Sequence, residues 1–267
     1  MPTSDIRNFI AFAQELVEAS GEIIREGARH NNAFISKGDD SPVTEIDRRA
    51  ETEIRRRIEA AYPGHGILGE EFGSQGMDED FVWVIDPIDG TKAFVAGIPV
   101  FGTLIALTHR GVPILGVIDH PMTRERWIGA EGFPTTLNGV RVTTSGRHVL
   151  SEAVMSTSNI ELYDAQSLPT FKTLRSSVHW CVYGGSCYSY GRLASGAIDI
   201  AIDRFENPHD YLAHVAVITH AGGVMTDWDG APLTIRSGGH CLAAANPALH
   251  AAALHRIAPS DRTMPAA

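Results

Sequence analysis

Apolar side chains recur every three or four positions near the start of the chain, with charged side chains between them. Between residues 5 and 28 the apolar positions are Ile6, Phe9, Ile10, Ala13, Leu16, Val17, Ile23 and Ile24. This period places them on one side of a helix, so the pattern predicts an amphipathic α-helix over this segment. The acids and arginines would lie on the opposite side and face solvent.

A second stripe with the same period predicts another helix, from about Val43 to Tyr62. Its apolar positions are Ile46, Ala50, Ile54, Ile58 and Ala61. Thr44 or Ser41 is the expected N-cap, because a hydroxyl at that position can accept a hydrogen bond from the first turn. Pro63-Gly64 predicts the end of the helix.

Runs of β-branched and aromatic residues follow, and they predict strands. A short strand is expected at residues 66 to 69, a glycine- and acid-rich loop at residues 73 to 80, and a buried strand at residues 81 to 85. Pro87 cannot donate a hydrogen bond to a neighbouring strand, so the buried strand should end at Asp86-Pro87.

Turn signals separate three further apolar runs and predict an antiparallel meander. The runs cover residues 102 to 108, 113 to 119 and 126 to 130, with turns at Arg110-Gly111 and at residues 120 to 123. Asn138-Gly139 predicts a β-hairpin. Two helices followed by such a sheet make the first half of the chain an α+β unit.

From about residue 151 short strands alternate with helices. A strand is expected near residues 153 to 157, and helices near residues 164 to 175, 186 to 195 and 211 to 221. We therefore expect an α+β half over residues 1 to 150 and a smaller α/β half over residues 151 to 267.

Composition narrows the class of protein. The chain has 267 residues, 43% of them hydrophobic, which is enough for a large core, and its formal net charge of −10 disfavours binding to nucleic-acid backbones. The three cysteines form no C-x-x-C pair, which suggests a reducing compartment. No signal-peptide pattern or membrane-length apolar run is present, so we expect a cytoplasmic protein without membrane partners.

The candidate chemistry centres on Asp86 and Asp89, which lie three positions apart and precede Gly90 and Thr91. On an irregular turn both carboxylates can face one point, and Gly90 would let the backbone come close to a ligand. Carboxylates are hard ligands for a divalent cation, and a helix that begins at Thr91 would favour an anion. The segment therefore suits a metal ion with a phosphate group, or else a turn in which aspartate only favours the bend.

Three other acidic positions could join this site, although each also has a structural interpretation. Glu70, with Glu71 beside it, could simply be solvated. Asp47, one turn after Thr44, could form a surface ion pair in an arginine-rich helix. Asp210 stands at the start of a helix, where an acid can interact with the N-terminus. From the residues alone these alternatives stay open.

Four motifs follow one another along the chain. They are Ser41-Pro42-Val43-Thr44 with Asp47, then Gly69-Glu70-Glu71, then Trp83 to Thr91 with its Asp-Pro-Ile-Asp-Gly-Thr core, and finally Asp210 to Gly223. Together they resemble the inositol monophosphatase superfamily of metal-dependent, lithium-sensitive phosphatases. The family usually has Trp and Glu where this chain has His209 and His220. The resemblance implies a layered αβαβα sandwich, the fold of the sugar phosphatases, with most metal ligands in the first half and the site completed by the second.

The resemblance also implies how two or three Mg²⁺ ions would be held. Glu70, Asp86 and the backbone carbonyl of Ile88 would hold one ion, and Asp86, Asp89 and Asp210 would hold a second. Some members of the family have a third, more weakly held ion near Glu70.

The remaining implied roles concern water and phosphate. Thr91 and Asp47, with Glu70 acting through its ion, would position and deprotonate the attacking water. The backbone N–H groups of Gly90 and Thr91 would hold phosphate oxygens. No protein nucleophile is needed in such a reaction.

Further segments are similar to the histidinol-phosphate phosphatase branch of the superfamily. They are residues 86 to 94, 101 to 107, 184 to 191, 210 to 213 and 226 to 230. Gly184, Gly185 and Ser186 would form a backbone wall near the substrate, or otherwise a tight turn before a helix. Asp203 stands where a glutamate commonly contacts the substrate, or is otherwise an acid at a strand end. Asp89 and Asp210 would also face the substrate.

The function implied is a Mg²⁺-dependent phosphomonoesterase that hydrolyses histidinol phosphate, a step of histidine biosynthesis. The ammonium and imidazole of that substrate suit an acidic pocket. The alternatives are inositol-1-phosphate or another small sugar or nucleotide phosphate, and more remotely a non-catalytic ligand-binding relative. The family also implies a homodimer.

Overall fold

The computed structural model describes residues 3–29, 34–36 and 42–258, and its strands form two large sheets and one small one. The strands are β1 (Phe34–Ser36), β2 (Pro42–Thr44), β3 (Gly66–Gly69), β4 (Gly73–Gln75), β5 (Phe81–Asp89), β6 (Gly102–His109), β7 (Val112–His120), β8 (Glu125–Ala130), β9 (Phe133–Leu137), β10 (Val140–Arg141), β11 (Val154–Thr157), β12 (Trp180–Tyr183), β13 (Ile200–Arg204), β14 (Val224–Thr226) and β15 (His240–Ala244). The α-helices are α1 (Thr3–Gly27), α2 (Glu45–Ala61), α3 (Thr91–Ala96), α4 (Leu168–Arg175), α5 (Ser186–Ala194), α6 (Leu212–His220) and α7 (Pro247–Ile257). Short 3-10 helices lie at Leu150–Glu152, Ile160–Leu162 and Pro208–Asp210.

The first large sheet has the strand order β10-β9-β8-β7-β6-β5-β3-β4. From β5 to β10 neighbouring strands run antiparallel, which confirms the predicted meander and the hairpin at Asn138-Gly139. β3 pairs in parallel with β5. Helices α1 and α2 cover one face, where Leu16 and Ile54 pack in the same core as Trp83 and Ile105.

The second large sheet has the strand order β12-β11-β13-β15-β14. Helices α5 and α6 lie between the two sheets, and their Tyr190 and Leu212 share a core with Leu104 of β6 and Ala201 of β13. Helices α4 and α7 cover the outer face of the second sheet. The layers therefore alternate as α, β, α, β and α, which confirms the predicted fold class. The division at residue 150 stays a prediction, since the central core joins both halves.

Several predicted boundaries were wrong. Strand β5 does not end at Pro87 but continues to Asp89, because its partner β6 accommodates the proline at a shift in register. The predicted loop at residues 73 to 80 begins with β4. Helix α4 begins at Leu168, four residues later than predicted. The Asp164 carboxylate accepts hydrogen bonds from the N–H groups of Gln166 and Ser167 and forms a turn instead.

Thr44 is the N-cap of α2, as one of the two sequence alternatives predicted, while Ser41 lies outside the described residues. The helix itself starts at Glu45 and ends at Ala61. Within the described part of the chain, none of the helices combines the length and the apolar character needed to cross a membrane.

Candidate active site

A β-bulge at the end of β5 brings Asp86 and Asp89 to the same side of the sheet. Asp86 pairs with Leu104 of β6 and Asp89 pairs with Gly102, so three steps on one strand match two on the other. In a regular strand, residues three apart point to opposite faces, and one extra residue in a bulge restores a common face. The hydroxyl of Thr103 donates a hydrogen bond of 2.8 Å to the carbonyl of Pro87 and holds the bulge in place.

The chain turns sharply after Asp89. Gly90 has φ +84°, in the left-handed region that favours glycine, and α3 begins at Thr91. The hydroxyl of Thr91 donates a hydrogen bond of 3.1 Å to the carbonyl of Ile88, which leaves that carbonyl a second lone pair. The first N–H groups of a helix have no acceptor within the helix, so this turn presents donors suited to phosphate oxygens.

Glu70 and Asp210 arrive from two other directions. Glu70 follows β3, and its N–H donates to the carbonyl of Ile85 at 3.2 Å, which places it beside the end of β5. Asp210 ends a 3-10 helix ahead of α6, and its carboxylate accepts a 3.0 Å hydrogen bond from the N–H of Asn207. Asp210 is thus an acid of the short 3-10 helix, where it forms a capping box with Asn207, and it does not cap α6, whose N-cap is Tyr211. Its other carboxylate oxygen lies 3.6 Å from Nε2 of His209.

Asp47 is fully buried on α2, so the surface ion pair considered from the sequence is wrong. One carboxylate oxygen accepts hydrogen bonds from the N–H and the hydroxyl of Thr44 in a capping box. The other oxygen, Oδ1, is buried and has no hydrogen-bond partner among the described residues.

The acids are close enough to perturb one another. Burial, with the charges of Glu70, Asp89 and Asp210, raises the pKa of Asp86 well above its ordinary value. Burial also raises the pKa of Asp89 to about 6, against the hydrogen bond from Cys187, and burial with the charge of Glu70 raises the pKa of Asp210 to about 7. Gathered carboxylates of this kind lower their mutual repulsion by taking up protons or by binding a cation.

The donor set fits a hard cation such as Mg²⁺. The candidate ligands are carboxylate oxygens and one backbone carbonyl, and Oδ1 of Asp86 is buried with no hydrogen-bond partner in the described ranges. A buried orphan oxygen is costly, and a cation would compensate it. Across residues 3–29, 34–36 and 42–258, no three Asp, Glu, His or Cys side chains already converge on one point as a metal cluster. The assignment of ions to ligands therefore stays a prediction.

A cavity of about 530 Å³ opens beside these acids. Of the predicted site residues, Glu70, Asp89, Gly90, Thr91, Gly184, Ser186 and Asp210 line it. Lys92, Ser158, Asn159, Glu161, Glu206 and Asn207 line it as well, and the sequence interpretation missed them. Apart from Lys92, which belongs to the segment 86 to 94, no local motif marks these residues, because loops from both halves of the chain bring them to the cavity.

A comparison with known sequences shows a match to the inositol monophosphatase family over residues 5–261. The chain belongs to this family. It is 44% identical over 229 residues to the bifunctional phosphatase IMPL2, chloroplastic, of Arabidopsis thaliana, a match that covers 85% of this chain and 66% of that relative. The chain thus spans slightly less than two thirds of that relative's length.

Two further likenesses agree with this assignment. The chain is 36% identical over 224 residues to a histidinol-phosphatase of Chlorobaculum parvum, with 83% of this chain and 86% of that protein covered. The solved structure of an inositol monophosphatase from Zymomonas mobilis matches with a TM-score of 0.86 at 36% identity, covering 94% of this chain and 98% of that one. The family resemblance seen in the motifs is therefore confirmed, and members of this family are typically metal-dependent phosphatases.

Asp203, which the sequence predicted as a substrate contact, is occupied by other partners in this inositol monophosphatase family member. Asp203 is fully buried, and its carboxylate accepts hydrogen bonds from the hydroxyl of Thr157, from both the N–H and the hydroxyl of Ser158, and from the hydroxyl of Tyr190. Four donors occupy its carboxylate, and Asp203 is not among the residues that line the cavity. Its structural interpretation, an acid at the end of a strand, describes it better.

The wall formed by residues 184 to 186 is present in part. Gly184 and Ser186 line the cavity, whereas Gly185 is the N-cap of α5. The N–H of Cys187, in the first turn of α5, donates a 2.8 Å hydrogen bond to Asp89. The sequence analysis did not assign this contact, because Asp89 and Cys187 belong to different halves of the chain.

Proposed function

We propose that this protein is a Mg²⁺-dependent phosphomonoesterase that hydrolyses histidinol phosphate to histidinol and phosphate. The observation that carries the proposal is the gathering of Glu70, Asp86, Asp89 and Asp210 around the β5 bulge, next to the helix start at Gly90-Thr91. Acids alone would repel a phosphate ester, so the site calls for cations between them and the substrate.

The residues that would hold Mg²⁺ are Glu70, Asp86, Asp89, Asp210 and the carbonyl of Ile88. When bound, Mg²⁺ supplies Lewis acidity that makes water a better nucleophile and screens the charge of the phosphate. The protein's own contribution is then mainly positioning, as in other phosphoryl transfers.

The remaining groups bind phosphate and manage the proton of the attacking water. The N–H groups of Gly90 and Thr91 would donate to phosphate oxygens. Asp47 is the proposed proton acceptor, with the hydroxyl of Thr91 orienting the water. Its unpartnered Oδ1 suits this role, and burial raises the pKa of Asp47 to about 6, near the range in which a carboxylate works as a base at neutral pH.

The cavity lining supports a substrate with a cationic alcohol. Five carboxylates line it among the described residues, and three of them (Glu70, Asp89 and Asp210) are proposed Mg²⁺ ligands, which leaves Glu161 and Glu206 beside one lysine, Lys92. Lys92 itself lies 3.3 Å from Glu161. The ammonium and imidazole of histidinol phosphate would be attracted to this surface, whereas the hydroxyls of inositol would gain no such attraction.

The deciding experiment measures phosphate release by the purified protein with Mg²⁺. We expect kcat/KM for histidinol phosphate to exceed that for inositol-1-phosphate. A ratio in favour of inositol-1-phosphate would support the alternative substrate class, towards which the likeness to the Zymomonas mobilis structure points. No release from any small monoester would overturn the phosphatase proposal itself.

Two further parts of the proposal rest on family resemblance and composition. We propose a homodimer, which light scattering in solution would test. We also propose a cytoplasmic location, which fractionation of the source cells would test.

A further inference from the structure

Glu51 of α2 is a fully buried acid that binds the turn directly after Glu70. One of its carboxylate oxygens accepts a 2.8 Å hydrogen bond from the N–H of Glu71, and the other accepts a 3.2 Å hydrogen bond from the N–H of Phe72. These contacts span 20 and 21 positions of sequence, so they belong to the tertiary structure and not to the helix itself.

Arg55, one helical turn further along α2, completes this arrangement. Its Nε donates to the Glu51 carboxylate at 2.7 Å, and its Nη2 donates to the carbonyl of Gly73. The turn from Glu70 to Gly73 is therefore held at both ends, by Glu51 near its start and by Arg55 at its finish. A buried ion pair is favourable only when further hydrogen bonds satisfy its charges, as they do here.

Gly69 provides the space for this carboxylate. A Cβ at Gly69 would overlap the Glu51 carboxylate and would also crowd Nη2 of Arg55. Gly69 immediately precedes Glu70, so the Glu51 carboxylate packs directly against the backbone that carries Glu70.

The same helix also carries Asp47, one turn before Glu51. Both acids are fully buried, and residues four apart lie on one side of a helix. Burial raises the pKa of Asp47, and the charge of Glu70 adds to this rise. Helix α2 therefore carries Asp47 and, one turn later, Glu51, whose carboxylate is hydrogen-bonded to the turn after Glu70.

We propose that Glu51 is a positioning residue that presets Glu70 for cation binding. Glu51 does not touch the cavity, and its action passes through the backbone of residues 69 to 72. This inference rests on the proposed function, because it assumes that Glu70 is a ligand of Mg²⁺. Groups that orient the ligands of a metal ion typically change its affinity about 10- to 100-fold when they are removed.

The test compares Glu51→Gln with Glu53→Gln. Glu53 is a matched control, since it also pairs with arginines of α2 but lies on the outer side of the helix and does not contact the turn. Titration calorimetry with MgCl₂ should show a Kd for Mg²⁺ at least about tenfold higher in Glu51→Gln and unchanged in Glu53→Gln. At saturating Mg²⁺, kcat for the best phosphate ester should return to within about threefold of wild type.

The outcomes separate this inference from the proposed function. If the wild-type protein neither binds Mg²⁺ nor releases phosphate, the proposed function fails. If the wild type does both and Glu51→Gln binds Mg²⁺ as tightly, the positioning role of Glu51 fails while the function stands. A loss of thermal stability with unchanged Mg²⁺ affinity would likewise assign Glu51 a structural role alone.

A second variant and a measurement on the wild type cover the case in which Glu51→Gln does not fold. Gly69→Ala should displace the Glu51 carboxylate and weaken Mg²⁺ binding, whereas Gly64→Ala, where a Cβ would meet no atom within 4 Å, should not. In the wild type, hydrogen exchange at the N–H groups of Glu71 and Phe72 should be slowed at least about a hundredfold relative to an unstructured peptide. Exchange at the unprotected rate would overturn the proposal.

Discussion

The N–H of Cys187 donates a 2.8 Å hydrogen bond to Oδ2 of Asp89, although the two residues are 98 positions apart. This bond joins the first turn of α5 to the end of β5 and so ties the second half of the chain to the acids of the first. The thiol of Cys187 lies 3.5 Å from Nε2 of the buried His120 and also interacts with the Asp89 carboxylate. Burial, together with the charge of Asp89, raises the pKa of that thiol well above its ordinary value, so the thiol does not serve as a nucleophile.

The acid cluster leads to a prediction for Asp86→Asn. This change removes one charge and one anionic ligand but keeps the shape of the side chain, so phosphate release should fall by at least about a hundredfold. Without Mg²⁺, the Asp86→Asn variant should unfold at a urea concentration equal to or higher than that of the wild type, because the change removes a negative charge beside three other acids. Retained phosphate release would contradict the assignment of Asp86 as a metal ligand. Unfolding at a lower urea concentration than the wild type would contradict the inference that the acids repel one another.

The cavity lining leads to a prediction for Glu161→Gln. Glu161 is exposed, faces the cavity and pairs with Lys92 at 3.3 Å. Its removal should raise KM for histidinol phosphate about two- to fivefold, the size of an exposed charge interaction, and should leave KM for inositol-1-phosphate within the error of the assay. Glu152→Gln serves as a control outside the cavity lining. Equal changes in KM for both substrates would show that Glu161 does not interact with the cationic group of histidinol phosphate.

Because Asp203 is buried, Asp203→Asn should lower stability and leave KM nearly unchanged. An amide cannot accept all four hydrogen bonds that the carboxylate accepts, so the free energy of unfolding should fall by about 2–3 kcal/mol. KM should change no more than it does in Asp199→Asn, which alters a second buried, hydrogen-bonded acid that does not line the cavity. Steady-state kinetics at a temperature where both variants are folded will decide. A KM that rises in Asp203→Asn alone would restore the direct contact predicted from sequence.

His214 leads to a prediction about pH. It is fully buried, stacks on Tyr190 at 4.0 Å between ring centroids, and neither ring nitrogen has a hydrogen-bond partner in the described part of the chain. Burial lowers the pKa of His214 from 6.5 to about 3. Between those values the unfolded chain binds a proton that the folded protein does not, so stability falls as pH falls below 6.5.

Replacing His214 by Phe should remove this dependence. Between pH 7.5 and 5 the wild type should lose about 2 kcal/mol more of its free energy of unfolding than His214→Phe does. His255→Gln, at an exposed position of α7, should keep the wild-type slope. Urea unfolding at several pH values measures the difference, and parallel curves for wild type and His214→Phe would show that His214 is protonated in the folded protein.

Much of the architecture could be read from local patterns. The stripe of Ile46, Ala50, Ile54 and Ile58 predicted α2, and the alternation of apolar runs with turns predicted the meander from β6 to β8. These predictions were sound because helical and strand periods reflect which side of an element is buried. The motif from Asp86 to Thr91 likewise indicated a metal and phosphate site, since its residue types restrict the chemistry.

The tertiary structure decided which acids serve the cavity. In a regular strand the spacing of Asp86 and Asp89 would put them on opposite faces, and the register with β6 creates the bulge that aligns them. Asp203 looked like a substrate contact, but donors some 45 positions away, at Thr157 and Ser158, occupy its carboxylate. Glu51 had no sequence feature that set it apart from other residues of the helix, yet its carboxylate is hydrogen-bonded to the turn after Glu70. The sequence by itself determined the elements and the kind of chemistry, because both depend on local residue types. Solvation and hydrogen-bond partners depend on distant residues, so only the folded chain determines which carboxylates remain available to a ligand.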